Sequence, residues 1–229
     1  MSEVYDIYRE EFRERVLDGR PRSILEVGSG DGSFLKTVQG EASRLCGLDP
    51  SEDHVSALRA EGFEAVKASA YPLPFADGEF DVVVFSFTPH HLADWGAGLN
   101  EALRVARHSV EILDVWYDDT IADQRTTHAF DRWLKTIDRR GGMVHRDTLS
   151  PGELLAPVLG RCDTTFDYVC RRVSARSNIE ETMALGRTYL ARVDNDQALA
   201  KEFEQIIAAA HRDGMTDEGA ILMTIEKGR

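Results

Sequence analysis

The stretch ILEVGSGDGSF, residues 24–34, joins a short apolar strand to a helix through three alternate glycines. Glycine has no Cβ, so these positions can turn sharply, adopt positive φ and leave room for a ligand against the main chain. A second predicted strand, residues 45–48, ends at Asp49, whose carboxylate can accept hydrogen bonds from both hydroxyls of a ribose. Turn and carboxylate together predict a nucleoside site. The alternative is a tight structural turn followed by a surface aspartate.

The glycine spacing separates two kinds of nucleotide-binding fold. Nicotinamide dinucleotide folds use G-x-G-x-x-G, whereas this chain has G-x-G-x-G, with Glu26 two residues before the first glycine. This pattern resembles motif I of the class I S-adenosylmethionine-dependent methyltransferases. Two later segments, ASAYPLPFADGEFDVVV (residues 68–84) and PHHL (residues 89–92), are similar to the small-molecule, methyltransferase type 11-like branch of that family. The matching segments run from about residue 22 to residue 116.

The resemblance implies a set of contacts to S-adenosyl-L-methionine. Glu26 would orient the methionine portion, partly through its ammonium, and Asp49 would hold the ribose. Ser69 stands where the family often has an aspartate that accepts a hydrogen bond from the adenine amino group. Tyr5, Tyr8 and Arg9 of the N-terminal helix would close the site, although core or surface roles are equally compatible with the pattern. The predicted cofactor-binding residues are Tyr8, Glu26, Gly28, Ser29, Gly30, Gly32, Asp49, Pro50, Ser69, Ala70 and Ser86.

Four residues are predicted to take part in the reaction. His90 and His91 are candidates for proton transfer, because imidazole titrates near neutral pH and, by the resemblance, their loop opens onto the reacting methyl group. The alternative is a structural role in fixing that loop. Asp114 and Tyr117 are predicted to hold a polar or cationic acceptor, whereas residues 118–119 fit either substrate contacts or the start of a helix. No metal is predicted, since the spacing of these groups does not require one.

Composition and charge exclude several classes of protein. The 27 Lys and Arg residues against 40 Asp and Glu give a net charge of −13, which repels a polyphosphate backbone and disfavours nucleic acid as a partner. The three cysteines, Cys46, Cys162 and Cys170, lack C-x-x-C spacing and are typical of reduced core thiols. With no signal peptide, long apolar run or lipidation motif, the sequence predicts no membrane partner and a cytoplasmic location.

Short apolar strands alternate with helices and predict an α/β fold. We expect a Rossmann-like, seven-stranded, mainly parallel sheet with helices on both faces, an N-terminal helix and a helical insertion before the last strand. The family's last strand is antiparallel to its neighbour. A helical insertion of this kind can form a lid over the acceptor, a packing element or a homodimer contact. The predicted single domain, 1–229, divides into an N-terminal cap helix (1–20), a core (21–175), the insertion (176–213) and the last strand (214–229).

The sequence therefore predicts an S-adenosylmethionine-dependent methyltransferase that acts on a small-molecule metabolite at oxygen, nitrogen or carbon, by direct in-line displacement. One alternative keeps the cofactor but changes the reaction, such as an internal cyclisation that releases methylthioadenosine. Another is a regulatory domain that binds the cofactor without turnover. RNA modification is a further alternative that the negative charge disfavours.

Overall fold

Seven strands form one sheet in the computed structural model, which describes residues 3–228, with side chains from Tyr8 onward. The strands are β1 (Ser23–Val27), β2 (Arg44–Asp49), β3 (Glu64–Lys67), β4 (Phe80–Ser86), β5 (Ala106–Trp116), β6 (Thr164–Arg171) and β7 (Gly219–Lys227). Their order in the sheet is β3-β2-β1-β4-β5-β7-β6, so the last strand lies between the two that precede it in the chain. The sheet is mixed, and the predicted fold class is confirmed.

Eight α-helices are described between and beside these strands. They are α1 (Glu3–Leu17), α2 (Ser33–Thr37), α3 (Glu52–Ala60), α4 (Trp95–Val105), α5 (Ala122–Arg140), α6 (Pro151–Leu155), α7 (Ile179–Ala191) and α8 (Gln197–Asp213). A single 3₁₀ turn spans Pro89–His91. None of the helices within residues 3–228 combines the length and the apolar character that a membrane crossing needs.

Parallel pairing brings the predicted site residues to one edge of the sheet. β1 pairs in parallel with both β2 and β4, and β4 pairs in parallel with β5. The carboxyl ends of parallel strands meet at the same edge, where ligands bind in folds of this kind. The glycine turn after β1, Asp49 at the end of β2 and Ser86 at the end of β4 therefore face a common crevice.

Burial explains why the central strands are continuously apolar. Every residue of β4 from Phe80 to Phe85 is buried, which suits a parallel strand covered on both faces. Beside the sheet, Leu35 of α2 packs with Val55 and Leu58 of α3. Leu58 is fully buried, and its truncation to Ala is expected to cost about 2–5 kcal/mol of stability.

Two helices are shorter than the sequence predicts. A helix is expected from Leu92, but α4 begins at Trp95, because the Asp94 side chain accepts a hydrogen bond from the N–H of Ala97 and caps the helix there. The sequence SPGE at residues 150–153 predicts a capping box that opens a helix through residue 159, and the structure contains this capping box. The helix that it opens ends at Leu155 instead of residue 159, since Pro157 has no N–H to continue it.

The chain divides into two compact units. The first comprises the residues up to Asp114, Ser150–Val169 and the residues from Ile221 onward, and the second comprises Val115–Leu149 and Cys170–Ala220. In the second unit, α5, α7 and α8 share a core around the stacked rings of Trp133 and Phe203. A Cβ at Gly186 of α7 would collide with the Phe203 ring, so glycine permits this close packing. The predicted insertion, 176–213, shares this unit with residues 115–149.

Candidate active site

A cavity of about 170 Å³ lies against the glycine turn, within the first unit. Five predicted cofactor-binding residues line it: Glu26, Gly28, Ser29, Gly30 and Ser86. The other lining residues are Arg9, Asp31, Ser33, Phe34, Thr37, Phe87 and Leu113. The structure thus brings together residues from α1, from the ends of β1 and β4, and from the start of α2.

The glycines of the turn serve two purposes. Gly28 has φ +73°, and a Cβ there would collide with the side chain of Thr88, whose hydroxyl hydrogen-bonds the Gly28 carbonyl oxygen at 3.3 Å. Gly30 has φ +51°, but a Cβ there would meet no atom within 4 Å. Gly28 is therefore needed for packing inside the fold. The space above Gly30 is left open beside the cavity.

Glu26 is the buried carboxylate at the base of the turn. Its Oε2 atom is buried and has no hydrogen-bond partner among the described residues. Burial raises the pKa of Glu26 well above its ordinary value, and the nearby charges of Asp31 and Asp49 add to that shift. The buried hydroxyl of Ser29 also has no partner among the described residues. Polar atoms left in this way normally bind a ligand or water.

Arg9 and Phe87 complete the cavity, and neither is among the residues predicted to bind the cofactor. The Arg9 guanidinium carbon lies 5.9 Å from the centre of the Phe87 ring. Phe87 has φ +52°, which is rare for a bulky side chain and occurs most often at functional sites. From the sequence, Arg9 is expected only to belong to the N-terminal helix that closes the site. Positive φ at Phe87 has no signature in the sequence, so that position could not have been found there.

Asp49 braces the glycine turn from the neighbouring strand. Its Oδ2 accepts a hydrogen bond from the Gly30 N–H at 2.9 Å, and its Oδ1 accepts one from the Ser51 N–H at 2.8 Å. The Nδ1 atom of His54 lies 3.1 Å from the same Oδ1. Each carboxylate oxygen has two lone pairs, so Asp49 retains capacity for further donors such as ribose hydroxyls. Its role in holding a ribose stays a prediction.

The remaining predicted cofactor-binding residues do not line the cavity. Tyr8 and Gly32 are buried, and a Cβ on Gly32 would collide with Leu58. Ser69 is exposed and its hydroxyl accepts a hydrogen bond from the Tyr71 N–H at 3.4 Å. Pro50 is exposed and Ala70 is buried, and the side chain of Tyr5 lies outside the described part of the chain.

Two predicted catalytic residues form a buried pair. The Nδ1 atom of His90 lies 2.6 Å from Oδ1 of Asp114, where the 3₁₀ turn after β4 meets β5. Asp114 is 1% exposed and His90 is 5% exposed. His91 is exposed, with its ring centre 4.3 Å from that of His90. The pair thus consists of an imidazole beside a carboxylate, which is a combination that serves as a general base in many enzymes.

Tyr117, the fourth predicted catalytic residue, belongs to the second unit. Its ring stacks on the imidazole of His128 at a centre-to-centre distance of 4.5 Å. The carboxylate of Asp119 lies 2.9 Å from Nδ1 of the same imidazole. Whether Tyr117 contacts an acceptor stays a prediction.

Comparison with known proteins supports the resemblance. Residues 25–113 match the family model described as a methyltransferase domain. An uncharacterized methyltransferase of Mycobacterium sp. (strain KMS) is 39% identical over 89 residues, which cover 38% of this chain and 35% of that protein. A demethylmenaquinone methyltransferase of Mycolicibacterium vanbaalenii is 31% identical over 100 residues, 44% of each chain. The chain thus spans between a third and a half of the length of these relatives.

The fold extends the likeness to the whole chain. A solved structure of a candidate methyltransferase from Bacillus halodurans superposes with a TM-score of 0.67, covering 96% of this chain and 99% of that chain at 17% identity. At this identity the superposition establishes the fold. The predicted resemblance is confirmed: residues 25–113 match a methyltransferase domain, and the chain has the same fold as this solved structure.

Proposed function

We propose that this protein transfers a methyl group from S-adenosyl-L-methionine to a small-molecule metabolite, at oxygen, nitrogen or carbon, by direct in-line displacement. The observation that carries the proposal is the buried Oε2 of Glu26 at the floor of the glycine turn, which lacks a hydrogen-bond partner in the described part of the chain. A buried acceptor without a donor costs about 1–3 kcal/mol, so a ligand that supplies a donor there gains that amount.

The charges of the cavity fit the methionine end of the cofactor. That end carries an ammonium and a carboxylate, and the cavity offers the Glu26 carboxylate and the Arg9 guanidinium as their partners. The open space above Gly30 lets a ligand approach the main chain, and Asp49 lies at the next strand end to receive a ribose. These residues match the donors and acceptors of S-adenosyl-L-methionine.

The bound cofactor supplies an activated methyl group on a sulfonium. The protein therefore has to position the acceptor, exclude water and, for an acceptor that starts as a hydroxyl, ammonium or acidic carbon, remove a proton. We assign that proton to the imidazole of His90, with the Asp114 carboxylate fixing the Nδ1 edge of the ring and offsetting the charge that the ring gains. His91 is exposed and is not needed in this assignment.

The proposed acceptor is a small metabolite and not a nucleic acid, because the chain carries a net charge of −13 and so repels a polyphosphate. Its identity depends on side chains that differ among proteins of this fold.

Calorimetric titration with S-adenosyl-L-methionine and with its demethylated product tests the cofactor assignment. Wild-type protein is expected to bind both, and Glu26→Gln is expected to lose about tenfold or more in affinity, since a charge-assisted hydrogen bond is removed. Glu111→Gln is the matched control, because Glu111 is also a buried glutamate of the first unit but does not line the cavity. Equal affinity in the two variants would refute the role of Glu26.

Turnover with a panel of metabolites separates the reactions. Demethylated cofactor that accumulates only when an acceptor is added supports methyl transfer. Release of methylthioadenosine without an acceptor would replace methyl transfer with internal cyclisation. Binding without any product over a broad panel would indicate a regulatory domain.

A further inference from the structure

A second cavity, of about 360 Å³, lies entirely among residues of the second unit. One wall is formed by α5, a second by the start of α7, and a third by the segment 215–218 that follows α8. The residues that line it are Tyr117, Thr127, Phe130, Asp131, Leu134, Ser177, Asn178, Glu181, Thr182, Leu185, Met215, Thr216, Asp217 and Glu218. We call this space the helical-unit cavity.

Its floor is apolar and aromatic. Tyr117, Phe130 and Met215 are each less than a tenth exposed, and the partly buried Leu134 packs against the same core. At the rim, Leu185 is 45% exposed and adds apolar surface. A concave space with an apolar floor and a few polar groups at the edge is the usual form of a small-molecule site.

The charged groups around this floor are acidic. Asp131, Glu181, Asp217 and Glu218 line the cavity, and none of the described residues that line it is a lysine or arginine. Asp131 is neutralised by the buried ammonium of Lys135 at 2.8 Å. Glu181 and Asp217 form no ion pair within the described part of the chain. Each instead accepts a neutral hydrogen bond, from the amide of Asn178 at 2.9 Å and the hydroxyl of Ser177 at 3.1 Å, respectively.

We propose that the helical-unit cavity binds a small organic cation, in which an ammonium group is carried on an apolar body. The apolar body packs on Phe130, Leu134 and Met215, while the ammonium faces the carboxylates of Glu181 and Asp217. Tyr117 and Phe130 contribute aromatic surface to the cavity. This inference does not depend on methyl transfer, since every lining residue belongs to the second unit.

The test uses the full chain without any methyl donor. 2-Phenylethylammonium is titrated beside 2-phenylethanol, which has the same apolar body and no charge, and beside 3-phenylpropionate, which carries the opposite charge. At low salt the ammonium is expected to bind about tenfold more tightly than the alcohol, and the carboxylate is expected to bind most weakly. The preference for the ammonium should shrink as salt is raised, because the carboxylates are partly exposed to solvent.

Paired substitutions place the binding in this cavity. Glu181→Gln and Asp217→Asn are each expected to weaken ammonium binding about two- to fivefold, the range measured for partly exposed ion pairs, and to leave alcohol binding unchanged. Glu180→Gln is the matched control, because Glu180 lies in the same first turn of α7 and does not line the cavity. Equal affinity for ammonium and alcohol, or equal effects of the substitutions at Glu180 and Glu181, would overturn the proposal.

Discussion

The Nδ1 atom of His90 lies 2.6 Å from Oδ1 of Asp114, and both side chains are buried. They are 24 positions apart and reach each other because β4 and β5 are neighbours in parallel register, with Ser86 opposite Leu113. The sequence predicts both residues as catalytic candidates, but without their pairing. The pair favours a proton-transfer role for His90, since a fixed imidazole beside a carboxylate can stabilise the charge that it gains.

If His90 accepts the acceptor's proton, His90→Gln should lower kcat about 100-fold or more, the range typical of general acid–base catalysis. Asp114→Asn keeps the shape of the pair and should lower kcat by a smaller factor while shifting the pH dependence of kcat. Cofactor affinity should stay unchanged in both variants. His91→Gln is the control, because His91 is exposed and adjacent, and a loss of kcat there as large as in His90→Gln would contradict the assignment.

Cofactor binding is expected to release a proton from Glu26. Burial raises the pKa of this carboxyl, so free protein holds the proton at pH values where an ordinary glutamate is ionised. A bound ammonium favours the carboxylate, and binding should therefore tighten as pH rises through the pKa of the free protein. Calorimetry in buffers of different ionisation enthalpy at one pH measures the released proton. Glu26→Gln should abolish the release, and a release that persists in this variant would assign it to another group.

Alanine substitutions at Gly28 and Gly30 should affect the stability of the protein and its cofactor affinity to different extents. Gly30→Ala keeps the cavity wall but adds a methyl group to the space that the cofactor would fill, so cofactor affinity should fall sharply while stability falls by about 1–2 kcal/mol from the positive φ. Gly28→Ala adds a collision with Thr88 to the same strain and should cost about 2–5 kcal/mol. Thermal melts and titrations of both variants give the comparison. Equal stability losses would contradict it.

The glycine turn and Asp49 can be predicted from the sequence because both depend on residues that are close together in the chain. Three alternate glycines can satisfy positive φ at positions 28, 30 and 32, and an acidic residue at the end of the next strand braces the turn. The seven-stranded sheet that the family resemblance implies is also observed. These features depend on particular residue types at fixed spacing, and both the types and the spacing can be read directly from the sequence.

Features that depend on packing between distant segments are not visible in the same way. Arg9 of α1 lines the cavity together with Ser86 at the end of β4, and the next residue, Phe87, has a positive φ and donates its N–H to the carbonyl oxygen of Leu113 at 2.7 Å. The acidic residues Glu181 and Asp217 are 36 positions apart and share a cavity only after α7 and the 215–218 segment have packed. Neither the spacing of motifs nor the hydrophobic periodicity of the sequence predicts contacts of this kind.

Glu111 should make the stability of the protein depend on pH near neutrality. Burial in the middle of β5 raises the pKa of Glu111 to about 7, although hydrogen bonds from the hydroxyls of Thr224 and Ser109 oppose that shift. Between pH 4.5, the ordinary value, and pH 7, the unfolded chain loses this proton while the folded chain keeps it. The free energy of unfolding should therefore fall across this window, by no more than about 3 kcal/mol, and level off above it.

The contribution of Glu111 is the difference between two denaturation series measured from pH 4 to pH 8. Glu111→Gln cannot ionise, so its free energy of unfolding should lack the part of the decline that Glu111 causes in the wild type. Glu226→Gln, at an exposed position of β7, should keep the wild-type slope. Parallel curves for wild type and Glu111→Gln would contradict this prediction. They would mean that the Glu111 carboxyl has the same pKa in the folded and unfolded chains, whereas its burial in the folded chain should raise that pKa.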